Sequence, residues 1–265
     1  MMLTDLMNLS GKSTVITGAA GNIGKVFAAT LAEMGSDLCL VDKDYEELCA
    51  FKCDLVSRFG VSVSLYACDL EIESERNKLL NSLLLDVNSL HCLVNNAAFV
   101  GTTDLEGWVS SFHEQSLSAW RRAFEVNLTS IFHLCQGLSP LLTKNHGNIV
   151  NVTSIYGKYG PDLSLYDGLE MGNPAAYASS KGGLEQLTRW LATVLAPEVR
   201  VNAISPGGVF REQPKEFVSR YIAKTPLKRM ASEEDFKGAI AFLVSEMSSY
   251  VTGQTIEIDG GWGVW

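Results

Sequence analysis

Short apolar runs alternate along the chain with longer segments in which apolar residues recur every three or four positions. "STVITG" (13–18) is β-branched and ends on glycine, and "NIGKVFAATLAEMG" after it has helical spacing. "DLCLVD" (37–42) is a second strand, followed by an expected helix over 45–59 and the strand "SVSLYACD" (62–69). A helix over 73–85 and the strand "LHCLVNNAA" (90–98) come next, then a helix over 118–138. The strand "GNIVNVTS" (147–154) and a helix over 176–195 lead to "RVNAISPG" (200–207) and "QTIEIDGG" (254–261), with a helix over 233–243 between these last two strands. Seven strands alternating with amphipathic helices imply a parallel sheet covered on both faces. No linker, repeat or low-complexity run interrupts the pattern, so one α/β domain over 1–265 is expected.

Composition narrows the function. Hydrophobic residues make up 46% of the chain and charged residues 19%, enough to bury a large core. A net charge of −9 argues against a dedicated nucleic-acid binder, although a local basic cluster can still receive an anionic small molecule. The start, "MMLTDLMNLSGK", has neither a basic leader nor a long apolar run, and no later run reaches membrane-spanning length, so a cytoplasmic protein is expected. The six cysteines show no CxxC and no paired zinc spacing, and the four histidines are scattered. Reduced thiols and no metal site are the expectation.

"TGAAGNIG" (17–24) lies between a strand and a helix, where bare backbone and a helix N-terminus can approach a pyrophosphate. Asp42 closes the second strand 18 residues after Gly24, placed to accept hydrogen bonds from an adenosine ribose diol. Its charge would repel a 2′-phosphate, which favours NAD over NADP, with Lys43 beside it as the counter-argument. A doubly wound sheet with this turn is a Rossmann-type domain. Further on, Tyr177 and Lys181 are four residues apart and therefore neighbours on one helical face. A free phenol has a pKa of about 10, and a nearby ammonium together with a cationic cofactor ring would lower it toward that of a useful base. Ser154, at the end of its strand, is placed to hydrogen-bond a substrate oxygen.

In this order, "TGAAGNIG", "CDL" (68–70), "NNAA" (95–98), Asn127 in "EVNLTS", Ser154, "YASSK" (177–181), "SPGG" (205–208) and "DGGW" (259–262) resemble the short-chain dehydrogenase/reductase family over nearly the whole chain. The resemblance implies an oxidoreductase that interconverts a secondary alcohol and a ketone with a nicotinamide cofactor. It implies a catalytic set of Asn127, Ser154, Tyr177 and Lys181, with Asn127 holding a water that links Lys181 to solvent. It implies a cofactor path along Gly18, Asn22, Ile23, Gly24, Asp42, Asp69, Leu70, Asn95, Ala97, Pro206, Gly207 and Val209, with Tyr177 and Lys181 on the nicotinamide ribose. A homotetramer or homodimer is implied as well. Two positions depart from the family. Asn22 stands where a second glycine is usual, and asparagine tolerates left-handed backbone better than most residues. Arg211 stands where a threonine commonly meets the carboxamide.

Ser154 and Tyr177 are 23 positions apart, about twice the usual family spacing. Segment 155–176 leaves at the serine and returns at the tyrosine, so it is expected beside the substrate, the alternative being a surface decoration or a subunit contact. Loops 99–116 and 208–230 open on the same rim. Trp108, Tyr156 and Tyr166 are candidates to stack on a flat polar substrate. Arg211 is a candidate anion clamp, or else a surface partner of Glu212 or another carboxylate. These loops resemble a subgroup associated with bacterial surface-sugar biosynthesis, including nonulosonic-acid and flagellar-glycan pathways, which implies a sugar or sugar-phosphate substrate. The alternatives are a hydrophobic or acyl ketone, or a dinucleotide sensor without turnover.

Overall fold

The computed structural model describes residues 2–101 and 105–265; positions 102–104 of the 99–116 loop lie outside the described residues. Seven strands form one parallel sheet in the order β3-β2-β1-β4-β5-β6-β7. They are β1 (Ser13–Thr17), β2 (Asp37–Asp42), β3 (Val63–Ala67), β4 (Cys92–Asn95), β5 (Asn148–Val152), β6 (Arg200–Pro206) and β7 (Thr255–Ile258).

Successive strand residues point to opposite faces, and both faces are buried. Val15, Val41, Leu93, Ile149 and Val201 face one way, onto helices α4 (Glu73–Asp86), α6 (Ser130–Lys144) and α7 (Ala175–Val194). Ile16, Leu40, Val94, Val150 and Ile204 face the other way, onto α2 (Asn22–Glu33), α3 (Tyr45–Phe59) and α9 (Lys237–Val244). A short helix, α1 (Leu3–Met7), precedes β1. The chain winds outward from β1 to β3 and then crosses back to β4, so the loops after β1 and β4 part at a crevice where such folds bind ligands.

The helix expected over 118–138 is three pieces: α5 (Leu117–Phe124), a π-helical turn (Glu125–Thr129) and α6. α6 continues past Pro140, which cannot donate to the carbonyl of Gln136. The Ser139 hydroxyl donates to that carbonyl instead, at 2.9 Å. All six cysteines are free; Cys39 and Cys92 lie in the cores, and burial pushes the Cys92 thiol up to about 12. No helix of the described residues is long and apolar enough to cross a membrane, and no group of three or more His, Cys, Asp or Glu among them is arranged to hold a metal.

Candidate active site

A groove of about 540 Å³ runs across the carboxyl ends of the strands. At its centre, β1 ends in a turn whose backbone must come close to its neighbour. Gly18 takes φ +64, and a Cβ there would sit 2.7 Å from the Ala97 Cα. Asn96 closes the turn from the β4 side, donating to the carbonyls of Thr17 and Gly18 at 3.0 and 2.9 Å. Asn22 opens α2 with an ordinary helical backbone, so the left-handed tolerance of asparagine is not drawn upon. Bare backbone at the head of a helix fits a pyrophosphate.

On the β2 side, both carboxylate oxygens of Asp42 are already oriented by backbone. Ala20 N–H donates to one at 3.0 Å and Asp44 N–H to the other at 3.1 Å. Each oxygen keeps a lone pair for a diol. Asp69 accepts from Glu71 N–H at 2.9 Å, and the Leu70 carbonyl accepts from buried Arg76, which also pairs with Glu125 at 2.6 Å. Arg76 thus ties the loop after β3 to the π-helical turn.

Asn95 does not line the groove as expected. Its side chain is buried inside the sheet, donating to Asn151 at 2.9 Å, and it is Asn96, with Ala97, that lines the groove. Strand alternation sends one of two adjacent asparagines into the core and the next to the rim.

On the β5 side, Ser154 follows the strand, and its Oγ accepts from Tyr156 N–H at 3.3 Å. Tyr177 lies in the first turn of α7, and Lys181 lies one turn on, its Nζ 5.9 Å from the Tyr177 ring centre. Lys181 is only 1% exposed and donates to the Val152 carbonyl at 2.8 Å. Burial pulls its ammonium down to about 7. Burial also pushes the Tyr177 phenol above its ordinary value, opposed by a hydrogen bond with Ser154 and by the charge of Arg211. In the ligand-free protein, therefore, desolvation outweighs the lowering expected from the lysine. The four side chains Ser154, Tyr177, Lys181 and Arg211 all line the groove.

Asn127 sits fully buried in the π-helical turn. Its Oδ1 accepts from Phe99 N–H at 2.6 Å, and its Nδ2 donates to the Phe99 carbonyl at 3.1 Å and to Ser180 Oγ at 3.0 Å. That side chain has no donor left for a water. It instead clamps the loop after β4 to the helix that carries Tyr177. With both amide hydrogens spent, the side chain keeps only the second lone pair of Oδ1 for a water.

Segment 155–176 forms a separate, aromatic core with helix α8 (Lys215–Lys224) and the C-terminal turn. Gly157 lets the segment lie against α7, since a Cβ there would be 2.9 Å from the backbone of Lys181. Tyr166 packs on Phe217 at 5.5 Å, Tyr156 meets the edge of Trp262 at 6.3 Å, and the Tyr156 and Tyr166 hydroxyls are 2.8 Å apart. Both rings are partly buried in this cluster and neither lines the groove, so the stacking role expected of them has no support in the groove's lining. Trp108 does not line it either. It is 2% exposed, lies edge-on to Phe99 at 5.1 Å and donates to the Val100 carbonyl at 2.8 Å. The sequence pattern predicts no helix within 208–230, because the three-turn α8 has its apolar residues spaced for one short stripe only.

Arg220 on α8 donates to the carbonyls of Leu165 and Asp167 at 3.2 and 2.7 Å, and Lys224 pairs with Asp162. The segment and the helix therefore form one packed body. Arg220→Ala is expected to accelerate amide exchange across 215–224 by about tenfold, because two charge-assisted bonds are lost. Unchanged exchange would show that the aromatic packing alone holds α8.

Arg211 does not pair with Glu212 but with another carboxylate, Glu233, as the surface alternative allows, while its side chain also lines the groove. Its Nε is 3.2 Å from Glu233 Oε1. Gln213, which no motif marks, also lines the groove, and it braces the loop by accepting from Arg211 N–H and donating to the Val209 carbonyl, both at 2.8 Å.

Comparison with known proteins gives a consistent picture. Residues 18–263 match a family model described as enoyl-(acyl carrier protein) reductase. A tropinone reductase homolog from Arabidopsis thaliana is 32% identical, covering 97% of this chain and 94% of its own. Among solved structures, an NAD⁺-bound xylitol dehydrogenase is 30% identical with a TM-score of 0.84, covering 96% of this chain and 99% of its own. A putative NAD(P)-dependent gluconate 5-dehydrogenase from Beutenbergia cavernae, with NADP bound, is 28% identical with a TM-score of 0.87, covering 98% of this chain and all of its own.

Proposed function

The chain belongs to the short-chain dehydrogenase/reductase family, enzymes acting on CH–OH groups, and from that premise we propose that it is an NAD-dependent oxidoreductase of a sugar or sugar phosphate. The observation that carries the reading is the convergence of Ser154, Tyr177 and Lys181 on one wall of a groove whose other end holds Asp42.

The groove suits a dinucleotide: the Gly18 turn is bare, α2 points its N-terminus at it, and the Asp42 carboxylate is pre-oriented. When bound, the nicotinamide supplies or takes up the hydride. The protein manages the proton. In oxidation, Tyr177 Oη takes the proton of the substrate hydroxyl as the carbon gives up its hydride; in reduction, Tyr177 returns it. Ser154 Oγ holds the same substrate oxygen. Lys181, fixed by the Val152 carbonyl, stands beside the phenol as it gains charge. Asn127 keeps the loop after β4 and α7 in register, so the groove wall and the phenol keep their spacing.

Polar side chains at the reactive end, Arg211 and Gln213, support a hydroxylated substrate, as does likeness to the xylitol and gluconate dehydrogenases. An apolar or acyl ketone is the second reading, favoured by Phe99 and Val100 at the groove mouth. A panel of amino-sugars, sugar phosphates, nucleotide sugars and apolar alcohols, run with NAD and NADP, decides between them. Turnover of apolar alcohols alone overturns the sugar reading. A homodimer or homotetramer belongs to the proposal, supported by Trp120, Phe132 and Trp190, which stand partly exposed on α5, α6 and α7.

The cofactor part has its own test. Asp42→Ala removes the carboxylate that would repel a 2′-phosphate, and the ratio of kcat/KM for NAD over NADP is expected to fall by about tenfold or more. Wild-type kinetics that favour NADP would instead assign control to Lys43.

A further inference from the structure

Charge along the groove is divided by the sheet. On the β2–β3 side, its walls carry Asp42, Asp69 and Glu71 against Lys43 and Arg122. On the β5–β6 side, the charged wall residues are Lys181 and Arg211, with no carboxylate among the described residues of that wall. A chain of net charge −9 thus presents a positive reactive end.

The two cations differ in what they have left to give. Lys181 is buried and committed to the Val152 carbonyl. Arg211 has a side chain 47% exposed, and Glu233 occupies only its Nε edge. Among the described residues, no acceptor engages its terminal nitrogens. Glu233 thereby fixes one edge of the guanidinium and leaves the forked edge open. Glu212, the nearest carboxylate in sequence, takes a left-handed backbone at φ 56 and lines an outer pocket with Glu233 and Glu234; Arg211 borders both that pocket and the groove, and of these carboxylates only Glu233 pairs with it. The loop bearing the arginine is itself braced by Gln213. Arg211 also opposes burial in setting the Tyr177 phenol, as a cation within electrostatic reach of the reacting hydroxyl would.

A fixed guanidinium with a free planar fork matches the geometry of an oxyanion. Glu233 already answers the charge, but a neutral polyol would give the fork no charged acceptor, whereas a carboxylate or phosphate would fill it. We propose that Arg211 is the seat for an anionic group on the substrate, so that the enzyme takes a sugar acid or sugar phosphate in preference to the matching neutral sugar. The proposal rests on the sugar reading above. Glu233 is the positioning residue for this seat.

Two measurements test it. Calorimetric titration of the NAD-saturated protein with tartrate and with inorganic phosphate reads the seat without turnover. Arg211→Ala is expected to weaken anion binding at least about tenfold, and Arg211→Lys by less, since it keeps charge but loses the fork. Kinetics on matched neutral sugars, sugar acids and sugar phosphates form the second arm. The anionic member should exceed the neutral one at least about tenfold in kcat/KM, and Arg211→Ala should bring the ratio near one. Which anion gains more distinguishes carboxylate from phosphate. Equal use of neutral and anionic sugars by the wild type overturns the seat while leaving the sugar reading intact. So does an Arg211→Ala variant that loses NAD affinity in proportion, which would assign the arginine to cofactor binding. Absence of turnover with every sugar, alongside turnover of apolar alcohols, removes the sugar reading itself.

Discussion

Tyr177→Phe is expected to lower turnover by about 10²- to 10⁴-fold while leaving cofactor binding within a few-fold of wild type. Only the hydroxyl is removed, and the ring still fills its place against Ala176, Trp108 and Phe99. Among the groove-lining residues, no other side chain stands in hydrogen-bond relation to Ser154 with a proton to exchange. Arg211 is held by Glu233, and Lys181 is turned to the Val152 carbonyl. Single-turnover kinetics together with a cofactor titration check both halves. Turnover near wild type would remove Tyr177 from the chemistry. Lost cofactor binding would mean that the variant reports on the fold of the groove rather than on proton transfer.

Lys181→Met is expected to abolish most turnover and, in the ligand-free protein, to stabilise the fold at low pH. The folded-state pKa of Lys181 is pulled down to about 7 by burial, whereas an unfolded lysine titrates near 10.4. Below pH 7 both states are protonated, and the folded state bears the full cost of a buried ammonium. Between pH 7 and about 10.4 the unfolded chain binds the extra proton, so wild-type stability rises with pH across that window. Methionine has no charge to bury. Its advantage should therefore be largest near pH 6, on the order of 5 °C in Tm, and should shrink as pH rises toward 10. Near pH 10 the unpartnered Val152 carbonyl is expected to make the variant the less stable protein. Thermal unfolding at pH 6 and pH 9 separates the outcomes, and a Tm difference that ignores pH would show that Lys181 is not charged at a cost. Cofactor binding places new groups beside the lysine, so the comparison belongs to the ligand-free protein.

The sheet was legible in the sequence because its local signals agree. Each strand is a short β-branched or apolar run bounded by turn residues, and each helix between strands has a continuous apolar stripe, so α3 occupies its expected span of 45–59. The Gly18 turn, Ser154 and the Tyr177–Lys181 pair were also legible, because each depends on a spacing fixed within one element or at its end. What tertiary structure decided lies where local signals are silent. In a sheet buried on both faces, nothing in "VNNAA" tells which asparagine faces the groove, and packing against Asn151 assigned Asn95 to the core. The π-helical turn at Asn127 depends on bonds to Phe99 and Ser180, which are distant in sequence. Segment 155–176 reads as polar and turn-rich, yet its tyrosines are partly buried against α8 and Trp262, more than 45 residues further along the chain. Arg211 shows the same rule. The sequence offers Glu212 or another carboxylate as its partner without saying which, and the fold brings Glu233 to the guanidinium. A sequence determines which groups can form a contact within one turn of helix or one strand; which distant groups meet is decided by the packing that buries the largest apolar surface with its polar atoms satisfied.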